Sequence, residues 1–106
     1  MLKDKLATLP NLYTTDGVKG DLPAVYVFTP DANATWVLWE YNADEGLAFG
    51  LCDLGLGFAE IGEVSVQELE SLRGRLGLPV ETDSSVRTRF AGYNHIGVAI
   101  PAWLTD

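Results

Sequence analysis

The alternation of apolar and polar positions along the chain predicts strands first. Ala24 to Thr29 (AVYVFT) is β-branched and aromatic and ends at Pro30-Asp-Ala-Asn33. Thr35 to Tyr41 (TWVLWEY) predicts a second strand, and Leu47 to Leu54 (LAFGLCDL) a third, with the Ala43-Asp-Glu-Gly46 turn between them. Gly50 inside that third strand marks a bulge or a close backbone approach. After Gly55 and Gly57, Phe58 to Val64 predicts a fourth strand with weaker alternation. The pattern then changes period. Ser65-Val-Gln-Glu68 is a capping box, with Val64 and Leu69 at the staple positions. It predicts a helix over 65–73, ended by Gly74 or Gly77, with Arg73 and Arg75 at its negative end. Leu69, Leu72 and Leu76 fall on one face and are expected to pack on the sheet.

The flanks are shorter and less regular. Leu2 to Leu9 predicts one or two helical turns stopped by Pro10, and Tyr13-Thr-Thr-Asp-Gly17 a turn. Val80 to Thr82 predicts a short strand, Val86 to Phe90 an edge strand and His95 to Ile100 a last strand. Pro101-Ala-Trp103 opens an apolar tail. The fold class is therefore α+β: a single domain over 1–106, mostly antiparallel sheet, with one main helix on one face and a short N-terminal helix.

Charge changes this picture most. Gly20 to Leu72 carries ten carboxylates and no Lys, Arg or His, whereas all seven basic side chains lie outside it. The net charge is −8, which opposes direct contact with nucleic acid or an anionic membrane surface. Because the block coincides with the strands, it reads as a surface that a basic partner can recognise, or as a solubility device. One cysteine allows no intrachain disulfide, and no apolar run approaches membrane-spanning length. These features fit a cytoplasmic protein.

Candidate chemistry is sparse. Cys52 lies mid-strand among apolar and acidic neighbours and reads as a buried structural cysteine. His95 has no sequence-marked triad partners. Asp31-Ala-Asn33 resembles the start of a calcium loop, but position 42 is Asn where that loop needs Glu. Asp44-Glu45 and Glu60/Glu63 are pairs of acids without the chain length for a deep sugar cleft. No catalytic, metal or cofactor site is expected. Trp36 and Trp39, three apart on one strand, face opposite ways; either one, if exposed, would anchor a partner.

The segments Leu9-Pro-Asn-Leu-Tyr13-Thr-Thr-Asp16, Phe28-Thr-Pro30…Thr35-Trp36, Phe49-Gly50-Leu51 and Ser65-Val-Gln-Glu-Leu69-Glu-Ser-Leu-Arg73-Gly74-Arg-Leu-Gly77-Leu-Pro-Val-Glu81-Thr-Asp83 carry a family resemblance. The chain resembles the domain of unknown function numbered 2958, a small bacterial family carried on plasmids, phages and other mobile elements. The similarity covers roughly Leu2 to Asp83, and the tail from Gly92 to Asp106 departs from it. The resemblance implies context and no catalytic residues.

Together these readings give a non-enzymatic acidic interaction protein, monomeric or a small homo-oligomer. It would bind and inhibit a protein with a basic surface, such as a nucleic-acid-binding host defence complex, by DNA mimicry. Asp31, Glu40, Asp44, Glu45, Asp53, Glu60 and Glu63 are the expected partner-binding acids, with Trp36 or Trp39 as the apolar anchor. The alternatives are a small ligand-binding or enzymatic module near Tyr26, Trp36 and His95, and a scaffold that oligomerises through Val98, Ile100, Trp103 and Leu104.

Overall fold

The computed structural model describes residues 2–83 and 85–105. Five antiparallel strands form one sheet: β1 (Val25–Phe28), β2 (Thr35–Asn42), β3 (Leu47–Asp53), β4 (Ala59–Ser65) and β5 (Glu81–Asp83), in the order β4-β3-β2-β1-β5. Four helices accompany them: α1 (Leu2–Leu6), α2 (Val66–Ser71), α3 (Arg89–Ile96) and α4 (Ala102–Thr105). The α+β class and the first four strands match the sequence pattern closely. The short turns explain the antiparallel neighbours. Asn42 closes the β2–β3 turn by accepting from Glu45 N at 2.7 Å, and Gly46 supplies a positive φ of 67°.

Both faces of the sheet are covered at β2, which is buried along most of its length. On the first face Val27, Trp36, Leu38, Tyr41 and Ala48 pack with Leu2, Leu6, Leu9, Val66 and Leu69 from α1, its following turn and α2. On the second, Tyr26, Val37, Trp39 and Leu51 pack with Val86, Tyr93 and Leu104. Burial on both sides accounts for the nearly unbroken apolar run TWVLW, because neither face has to meet water.

Half of the capping box at α2 is present: the Ser65 hydroxyl accepts from Glu68 N at 3.2 Å, and the Glu68 side chain does not return a bond among the described residues. Ser65→Ala is expected to cost about 1 kcal/mol, read from the urea midpoint. A loss under about 0.3 kcal/mol would show that packing of Val66 and Leu69 alone holds the helix start. The helix is shorter than predicted. It ends at Leu72, and Arg73 binds the freed carbonyls of Glu70 and Leu72 at 3.0 and 2.7 Å. Leu72 and Leu76 therefore do not reach the sheet; Leu76 is 78% exposed.

The C-terminal third corrects two predicted strands. Residues 86–90 and 95–100 do not form strands. Arg89 to Ile96 is the longest helix, packed on the second face of the sheet. Thr88 is its N-cap, accepting from Ala91 N at 3.3 Å, and Gly97 ends it at φ 77°. The tail folds back on its own chain. Gly20 N donates to Leu104 O at 2.8 Å, Leu104 is buried, and Val98 and Ile100 pack against the second core. Of the four tail residues expected to reach another chain, Trp103 is the exposed one.

Candidate functional site

The acidic block does not form one face, and Glu40 is the clearest correction. β2 and β3 pair regularly from Thr35↔Asp53 to Leu38↔Gly50, then resume at Glu40↔Phe49. Trp39 is thus the extra residue of a β-bulge. The insertion shifts the alternation. Glu40 shares a face with Phe49 and Trp39, and Tyr41 shares the other with Ala48. Glu40 is fully buried there. Its Oε1 accepts from Tyr13 N at 2.8 Å, and its Oε2 accepts from Thr15 N at 3.1 Å and from the Thr15 hydroxyl. It holds the 13–15 loop and is closed to any partner. Tyr13 sits at φ 65°, a conformation that costs a non-glycine residue energy and that these bonds sustain.

The other six acids divide between both faces and both ends of the sheet. Asp31 accepts from Leu76 N at 2.7 Å and Leu78 N at 3.4 Å, tying down the loop after α2. Asp53 accepts from Gly55 N at 2.8 Å and starts the β3–β4 turn. Asp44 and Glu45 lie exposed in the opposite turn, the length of β2 away, or roughly 25 Å. Glu60 pairs across Cys52 and Glu63 across Phe49, which places them on opposite faces of β4. Glu63 accepts from the Tyr13 hydroxyl. The expected Trp anchor is likewise corrected. Trp36 and Trp39 do face opposite ways, but each lies in a core, 4% and 2% exposed.

What the first face does carry is an apolar groove of about 300 Å³ over β2, β3 and β4. Gly50 and Gly62 pair directly across β3 and β4 and leave a trough without side chains. Trp36, Leu38 and Val64 bound it on the core side, and Leu54, Leu56 and Phe58 on the turn side. Leu56 and Phe58 are 69% and 62% exposed. Glu60 stands exposed on its rim, and the outer edge of β4 pairs with no described strand. The sequence signal for this feature is Leu54-Gly-Leu-Gly-Phe58, large apolar side chains in a turn where polar ones are the rule. Cys52 also lines the groove, and burial pushes its thiol up, with Glu60 and Asp53 acting the same way against its contact with Trp36. That environment keeps it an unreactive thiol.

The module imagined near Tyr26, Trp36 and His95 does not assemble. Tyr26 and His95 meet edge to face at 4.8 Å beside an open cleft, but Trp36 lies across the sheet. Among the described residues no three His, Cys, Asp or Glu side chains gather as metal ligands, and no helix is long and apolar enough to cross a membrane. Arg89 is the buried polar residue that sequence reasoning missed, because it sat in a predicted edge strand. It is 1% exposed, packed between the rings of Trp39 and Phe90 with 5.3 Å to each centroid.

No curated protein and no solved structure matches the chain significantly. The family resemblance, read from the sequence over residues 2–83, extends further, through α3 to Ile100. Residues 2–100 match the family described as protein of unknown function (DUF2958), and the chain belongs to that family.

Proposed function

We propose that this protein is a non-enzymatic interaction protein that docks a partner in the groove over β2, β3 and β4. The single observation that carries the reading is the Gly50–Gly62 trough with exposed Leu54, Leu56 and Phe58 beside Glu60. A large exposed apolar patch with a charged rim is the usual composition of a protein contact. The rim chooses the partner's sign: a segment presenting an apolar side chain flanked by Lys or Arg fits it. Basic surfaces of nucleic-acid-binding proteins, including host defence complexes, have that character. Inhibition would follow from occupying such a surface. The scattered acids favour this local contact over a phosphate-like array along one whole side.

Gly62 offers a clean test, because a Cβ there meets nothing within 4 Å. Gly62→Val fills the trough without disturbing the fold, and Glu60→Lys reverses the rim. A partner captured from host lysate by the native protein is expected to be lost at least about tenfold with either variant, and to release between about 50 and 200 mM salt. Equal capture by both variants, with salt-insensitive binding, would remove the groove as the contact site.

A further inference from the structure

A second cavity lies on the opposite face of the sheet, independent of the groove. It is a cleft of about 320 Å³ bounded by Thr15, Gly17, Lys19, Trp39, Arg89 and Trp103, with Phe49 beside them. Its chemistry is set by Arg89. One guanidinium nitrogen, Nη2, donates to Val18 O at 3.3 Å and to Gly20 O. Nε, equally buried, has no partner among the described residues. The hydroxyl of Tyr93, one helical turn later, is buried and unpartnered in the same way.

The carboxylates whose charges reach Arg89 are committed elsewhere. Asp21 accepts from Leu22 N and Phe90 N, both at 3.0 Å, and Glu40 accepts from Tyr13 and Thr15. Asp16, at the rim, is exposed, as is Lys19. A desolvated cation therefore lies under the cleft with carbonyls and ring faces around it and an unused donor. Burial pulls the Arg89 guanidinium down, and it pushes the Tyr93 phenol up to about 12. Buried donors of this kind are costly until an acceptor reaches them, and a charged acceptor satisfies a guanidinium best.

We propose that this cleft binds a small anion with an aromatic body, its carboxylate or phosphate oxygen accepting from the Arg89 guanidinium. The ring of the ligand lies against Phe49 and Trp103, with Trp39 beneath, and Lys19 closes the anionic end. The volume suits a ligand of one or two rings at the lower end of small-molecule sites.

The three tryptophans give the readout. Trp39 and Trp103 line this cleft, whereas Trp36 lines the groove on the other face. In indole N–H spectra of the full chain, benzoate or phenyl phosphate is expected to shift Trp39 and Trp103 saturably and leave Trp36 in place. The tighter of the two identifies the anionic group. Neutral benzamide is expected to bind at least about tenfold more weakly, because it brings no charge to the guanidinium. Inorganic phosphate alone is expected to bind more weakly than phenyl phosphate, since it lacks the ring. Arg89→Lys is expected to abolish the benzoate response. Should that variant fail to fold, Trp103→Ala, an exposed position, is expected to weaken benzoate at least about threefold with the fold intact. No saturable shift with either anion would mean that only water satisfies Arg89, and the proposal would fall. Equal binding of benzamide, or unchanged affinity in Trp103→Ala, would overturn it as well.

Discussion

Gly50→Ala is expected to destabilise the protein by about 4 kcal/mol or more, an effect large enough to leave little folded chain at 37 °C. A Cβ at Gly50 would run into the Val37 carbonyl oxygen and come within 2.8 Å of Leu38 Cα. Those atoms are backbone in the central strand, held by pairing on both sides, so no side chain can turn away to make room. The neighbouring Gly62→Ala is the control. The new methyl there meets open space, so the change is expected to be neutral, or to stabilise by about 0.4–1 kcal/mol by stiffening the unfolded chain. Paired urea melts of the two variants decide the matter. A loss under about 1 kcal/mol at Gly50 would mean that β2 and β3 separate more easily than their packing implies.

Glu40→Ala is expected to cost about 3–5 kcal/mol, the range for removing one member of a buried charged network. Three donors of the 13–15 loop lose their acceptor at once, and Tyr13 is released from its left-handed conformation. Glu40→Gln separates the contributions. It keeps an oxygen for Tyr13 N, but its amide nitrogen faces Thr15 N, donor against donor. An intermediate loss of about 1–3 kcal/mol is expected for it. Thermal melts check both, since each 1 kcal/mol moves the midpoint of a chain this size by about 4–8 °C. If Ala and Gln behave alike and cost under about 1 kcal/mol, the carboxylate is not what holds the loop. Hydrogen exchange at the Tyr13 and Thr15 amides provides a local reading of the same effect.

The strands were legible because their signals are local. Tyr26-Val-Phe28 and Trp36 to Tyr41 are β-branched and aromatic, and they are bounded by Pro30, Asn33 and Gly46. The start of α2 was legible for the same reason, since Ser65 and Glu68 are three apart. Helix α3 was not. Its residues Arg89-Phe-Ala-Gly-Tyr include a glycine and two aromatics, and the alternation of Val86 to Phe90 at its start imitates an edge strand. Thr88 and Gly97 cap it in the structure. Gly92 is in that helix because the sheet is close: a Cβ there would lie 2.6 Å from Val37 Cγ1. The candidate sites were harder still. Glu40 meets Tyr13, and Arg89 meets Trp39 and Gly20, only through the fold, so no spacing along the chain announces them. Acid counts also mislead at this scale. A carboxylate that caps a turn, ties a loop or fills a core contributes to composition as fully as one that faces solvent.

The bulge in β2 makes Trp39 an addition to the strand and not a replacement within it. Every other residue of β2 already stands where an uninterrupted ladder would put it: Thr35 to Leu38 on one side of the insertion, Glu40 to Asn42 on the other. Excising that single codon would therefore leave the reading frame of the pleat unchanged and remove only the indole. A chain one residue shorter at this point would thread the same sheet and lack the aromatic floor of its cleft.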